Sequence, residues 1–117
     1  MACFVVPWPP SILSGHAKGN ARWAKIAATK KHRAWAKVAA QAARASAPAG
    51  KGDIAISFTF VPPDRRGDRT NFPNRLKPAI DGIAEAMGVN DSRFLPSYHY
   101  RAPDKANAGV IVEVGAA

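Results

Sequence analysis

The run Ile54-Ala55-Ile56-Ser57-Phe58-Thr59-Phe60-Val61 alternates large apolar side chains with small or polar ones. In an extended chain successive side chains point to opposite faces. Ile54, Ile56, Phe58 and Phe60 therefore share one face, and Ala55, Ser57 and Thr59 share the other. The pattern predicts a half-buried strand over 53–61. Pro62-Pro63 ends it, because proline cannot donate to the ladder. The chain then passes through Asp64-Arg65-Arg66-Gly67-Asp68-Arg69-Thr70-Asn71-Phe72-Pro73-Asn74-Arg75-Leu76-Lys77-Pro78-Ala79-Ile80-Asp81-Gly82-Ile83. This is a polar turn rich in both charges, leading into a helical segment. A strand feeding a helix predicts a mixed α/β domain.

At helical spacing Phe72, Leu76, Ile80, Ile83 and Met87 fall on one face, which predicts a core face. Thr70, Asn74, Lys77, Asp81 and Glu85 fall in a narrow arc opposite. Pro78 lacks an amide hydrogen, so a single turn followed by a helix with Pro78 at its first position is expected. Gly88 supplies the stop. Lys77 and Asp81 stand four residues apart and satisfy an ion-pair reading as well as a functional one.

Upstream, Cys3-Phe4-Val5-Val6 predicts a first strand, ended by Pro7-Trp8-Pro9-Pro10. A polar loop containing His16 follows. Residues 21–47 are alanine-rich without Pro or Gly and predict a long helix. Trp23, Ile26, Ala27, Ala34, Trp35, Val38, Ala39 and Ala42 recur at three- and four-residue steps, so packing on the sheet through the tryptophans is expected. The basic side chains would then face outward. Downstream, Val89-Asn90-Asp91-Ser92 is a turn in which Asp91 can cap the next segment. Tyr98 to Arg101 and Gly109 to Val114 predict two final strands, with a turn between them compatible with a hairpin. The expectation is one small domain over residues 1–117, of α/β (α+β) class and order β-α-β-α-β-β. Its mixed sheet would carry helices mostly on one face.

The charge is segregated. Residues 1–52 hold nine Lys or Arg and no Asp or Glu, whereas residues 53–117 hold eight of each. A half with only positive charge points to a polyanionic partner, nucleic acid before an anionic membrane surface. Carboxylates beside arginines in 64–69 suit a divalent metal next to a phosphate, and a charged turn capping a helix explains them equally well. The single cysteine, Cys3, excludes an internal disulfide and fits a reducing cytoplasm. No signal peptide and no bilayer-spanning run is expected, so a membrane is not among the expected partners.

Taken together, Pro7-Trp8-Pro9-Pro10-Ser11, Asn20-Ala21-Arg22-Trp23 with Lys31-His32-Arg33, Asp68-Arg69-Thr70-Asn71 with Leu76-Lys77-Pro78 and Asp81-Gly82, and Gly88-Val89-Asn90-Asp91 resemble the RusA family of Holliday junction endonucleases. The likeness covers nearly the whole chain in order and length. It implies a homodimeric, Mg²⁺-dependent nuclease, with Mn²⁺ as a substitute, that cuts four-way DNA junctions and is encoded by a bacterium or phage. It implies catalytic roles for Asp68, Asp91 and Lys77. Asp68 and Asp91 would hold the metal, with Asp81 and Thr70 as further positions around it. Arg22, Lys25, Lys30, Arg33, Arg65, Arg66, Arg69 and Asn71 would hold DNA. Two positions depart from the family pattern: Thr70 replaces the second aspartate of its Asp-x-Asp-Asn run, and Asn90 replaces the first member of its Asp-Asp pair. A catalytically weak or inactive protein that still binds branched DNA is the alternative.

Overall fold

A computed structural model describes residues 2–13 and 20–115. The loop containing His16 lies outside them. The order is β1 (Ala2–Val6), α1 (Asn20–Ala42), β2 (Ile54–Val61), α2 (Lys77–Met87), β3 (Phe94–Tyr100) and β4 (Gly109–Val114). Short 3₁₀ segments occupy Ser11–Leu13, Arg69–Arg75 and Asp91–Arg93. The expected α+β class and element order hold.

One hydrophobic core unites these elements. β2 sends Ile54, Ile56, Phe58 and Phe60 inward, and β4 sends Val110, Val112 and Val114. Phe4 and Val6 of β1, Ala36 and Ala40 of α1, and Ala79 and Ile83 of α2 join the same cluster. Both helices therefore lie against one face of the sheet. Burying each large apolar side chain contributes roughly 1.5–3 kcal/mol, which is why the alternation of β2 fixes its orientation.

The sheet order is β1-β4-β2-β3, so the last two strands do not form a hairpin. β4 inserts antiparallel between β1 and β2, and β3 lies parallel to β2 at the edge. Side-chain chemistry sorts them. β4 is Gly-Val-Ile-Val-Glu-Val, with its valines buried, and gains most from a central place. β3 is largely exposed and contains Pro96, which an edge tolerates. Tyr98 and Tyr100 still stack on Phe58 and Phe60, with centroids 5.8 and 5.4 Å apart.

The tryptophans of α1 do not pack on the sheet as expected. Trp23 is 65% exposed and Trp35 51%, and Ile26 and Val38 also face outward. The helix packs instead through His32, Ala36 and Ala40, against α2. Small residues win here because the helices approach too closely for large ones. A Cβ added at Gly82 would lie 2.2 Å from the Arg33 carbonyl oxygen. The helix also ends at Ala42 rather than near 47, because Arg44 adopts a left-handed conformation with φ of 56°.

Candidate active site

The charged turn after β2 is held by its own side chains. Asp64 Oδ1 accepts the Arg66 amide at 2.8 Å, and Gly67 takes a positive φ of 83°. Asp68 caps the 3₁₀ segment, its Oδ1 accepting the Thr70 amide at 3.2 Å. Phe72 is buried, and its ring takes the Trp8 indole edge at 4.8 Å. That contact ties the turn to the segment after β1. Asp64, Arg65, Arg66, Asp68 and Arg69 line a concavity of about 580 Å³, with Ala102 and Pro103 opposite. Three arginines there give a seat for an anion, tempered by two carboxylates.

The 3₁₀ segment leads through Leu76 into α2, which carries Pro in its first turn as expected. Lys77 opens the helix. Its Nζ meets Asp81 Oδ1 at 3.0 Å, one turn on, and also the carboxylate of Asp91 beyond the far end of the helix. Gly88 makes the second contact possible. It takes φ 68° and ψ 32°, a left-handed cap that turns the chain back. Asn90, rather than Asp91, then caps the next 3₁₀ segment, its Oδ1 accepting the Ser92 amide at 2.9 Å. Asn90 does the capping and leaves the Asp91 carboxylate for Lys77. Arg93 fixes the same turn from below, donating to the Gly50 and Gly52 carbonyls at 2.9–3.1 Å.

Electrostatics follow from these contacts. Hydrogen bonds that Lys77 donates to Asp91 and then Asp81 raise its pKa, so the ammonium is held charged. Lys77 in turn pulls the Asp91 carboxyl below the usual carboxylate range. Lys77 is therefore held as a cation between two carboxylates.

Asp81 and Asp91 line a concavity of about 390 Å³ together with Glu85, Asn90 and Arg33 of α1. Glu85 was given no site role from sequence, although it shares the arc of Lys77 and Asp81. It bridges the helices, accepting from Arg33 Nη2 at 3.0 Å and Lys37 Nζ at 2.9 Å, and both cations lower its pKa.

The structure thus brings Lys77, Asp81 and Asp91 into one contact set. Asp68 lies outside it and has no part in the Lys77 shift. Among the described residues no three His, Cys, Asp or Glu side chains form a metal-holding group. Asp81 and Asp91 are the two carboxylates that converge, and the cation between them is the Lys77 ammonium. Thr70 and Asn71 are exposed beside Asp68, and the Asn71 amide donates to the Asp68 carbonyl at 2.9 Å. Of the expected DNA contacts, Lys30, Arg65, Arg66 and Arg69 are exposed. Arg22 lies over the Trp23 ring at 5.4 Å, Lys25 is half-buried, and Arg33 is engaged by Glu85.

No family model matches the chain. A protein of Xylella fastidiosa (strain Temecula1 / ATCC 700964), described as uncharacterized, is 36% identical over 117 residues, covering 96% of this chain and 74% of that protein. Among the described residues, no helix is long and apolar enough to cross a membrane.

Proposed function

This chain belongs to one family with the uncharacterized Xylella fastidiosa protein, and we propose that it is a Mg²⁺-dependent, RusA-like endonuclease acting on four-way DNA junctions. The observation that carries the reading is the convergence of Asp81 and Asp91 on Lys77, in a concavity that Arg33 of the wholly basic first half also lines. In this reading the carboxylates serve an ion and the basic side chains serve the phosphate backbone.

Asp91 and Asp81 would hold the ion, and Asp68 is the further carboxylate that the motif likeness assigns. When bound, the ion supplies Lewis acidity at the scissile phosphate. Lys77 stays protonated and stabilises the negative charge that builds on phosphorus oxygens in the transition state. Lys30, Arg65, Arg66 and Arg69 hold the backbone by charge without reading bases. Two copies about a two-fold axis match the symmetry of a junction and allow paired cuts. A cytoplasmic setting, with one free cysteine and DNA as partner, completes the reading.

A second reading is a structure-selective DNA-binding protein without catalysis. It draws support from Thr70, which brings no charge, and from Asp68, whose carboxylate caps a turn outside the Lys77 contacts. Cleavage of junction, duplex and single-stranded DNA with and without Mg²⁺ separates the two. The nuclease reading expects metal-dependent incision of the junction above the other substrates. Tight, salt-sensitive binding with no incision in either Mg²⁺ or Mn²⁺ would support the second reading instead.

A further inference from the structure

A groove of about 330 Å³ lies between the segment after β1 and the outer side of α1. Pro7, Trp8 and Pro10 form one side, and Lys31, His32 and Trp35 form the other. Trp8 is fixed, with its indole edge-on to Phe60 and Phe72 at 6.1 and 4.8 Å. Trp35 is half exposed, and the Lys31 ammonium sits 5.1 Å from its ring centroid. His32 is 4% exposed, and its Nε2 has no hydrogen-bond partner among the described residues.

We propose that this groove receives one unpaired nucleotide of the DNA strand, its base between Trp35 and the Pro7–Pro10 wall and its phosphate at Lys31. This rests on the nucleic-acid reading above and adds a base-binding subsite to it. Indole and proline faces accept a flat ring, and aromatic stacking tolerates every base. Lys31 and the absence of any acid in residues 1–52 favour a ligand that carries negative charge, which a nucleotide does. Base pairs next to the strand exchange have a stacking neighbour on one side only when the junction opens, so a nucleotide there is unpaired at least cost.

The test compares a labelled single strand with the same strand built from abasic tetrahydrofuran residues, by fluorescence anisotropy at fixed salt. Both carry the same phosphates, so only the bases differ. Wild type is expected to bind the base-containing strand about five-fold or more tightly. Trp35→Ala should bring the two strands to within two-fold, and Trp35→Phe should keep most of the difference. Adenosine monophosphate should compete only at far higher concentration than the strand, and competition at strand-like concentration would overturn a strand subsite in favour of a free-nucleotide site. Indifference of the wild type to base removal would overturn the proposal while leaving junction cleavage, measured separately, to judge the nuclease. Unchanged discrimination by Trp35→Ala would overturn it too. Failure to bind either strand would overturn the subsite, with junction cleavage again judging the nuclease separately.

Discussion

Replacing Gly82 by alanine sets two effects of opposite sign against each other. Gly82 lies inside α2, where alanine is favoured over glycine by about 1 kcal/mol. The same position faces the backbone of α1. The new Cβ would lie 2.2 Å from the Arg33 carbonyl oxygen and 3.1 Å from the Lys37 amide nitrogen. Ordinary contact begins near 3.4 Å, so the helices must separate by about 1.2 Å. A radial gap of ~1 Å forfeits up to half of each lost dispersion contact, and overpacking a tight core costs typically 1–3 kcal/mol, occasionally more. The contacts at risk include Ala36, Ala40, Ala79 and Ile83 of the core, and the Glu85 bridge to Arg33 and Lys37. Strain exceeds propensity, giving a net loss of about 2 kcal/mol. In a chain of this size that is a fall of roughly 8 °C or more in Tm. Thermal unfolding followed by circular dichroism reads it directly. A Gly82→Ala protein as stable as wild type, or more so, would refute the close approach of α1 and α2.

Gly88→Ala meets no atom within 4 Å, so its cost is the left-handed conformation alone, about 1 kcal/mol by urea denaturation. Trp35→Ala should change stability by about 1 kcal/mol or less, since the side chain is half exposed; a loss of 3 kcal/mol or more would mean that it packs inward. The Lys77–Asp91 pair has a defined pH window. The depressed Asp91 pKa contributes stability above about pH 4, lost as pH falls through its folded value. The raised Lys77 pKa contributes stability below about pH 10, lost as pH rises through its folded value. The stability difference between wild type and Asp91→Asn should therefore be flat from about pH 5 to 9 and shrink below pH 4. A difference that grew on acidification would contradict the pairing. Glu85→Gln should loosen α1 from α2, seen as faster amide exchange along α1 at neutral pH, with the effect fading where Glu85 itself protonates.

Much of the architecture was readable because single residues decide it. The period of two from Ile54 to Phe60, Pro78 in the first turn of α2 and Gly88 at its end each admit one local conformation. The face of α1 was misread because hydrophobicity picks out Trp23, Trp35 and Val38, whereas packing is decided by how near the partner backbone comes. That distance is set by Gly82, 50 residues after His32 in the chain. The position of β4 was hidden for a related reason. A short turn between two strands suggests a hairpin, yet the buried valines of β4 compete for the sheet centre more strongly than the polar β3. In the site, the arc of Lys77, Asp81 and Glu85 was visible at helical spacing. That Asp91 would reach back to Lys77, with Asn90 taking over the capping, depends on the turn geometry at Gly88.

The central claim is that Asp91 belongs to a catalytic centre and does more than neutralise Lys77. Single-turnover incision of a synthetic four-way junction in Mg²⁺ by wild type and Asp91→Asn tests it, with junction binding measured alongside. The account predicts that cleavage is abolished in the variant while binding is largely kept. Incision by Asp91→Asn at the wild-type rate would contradict it.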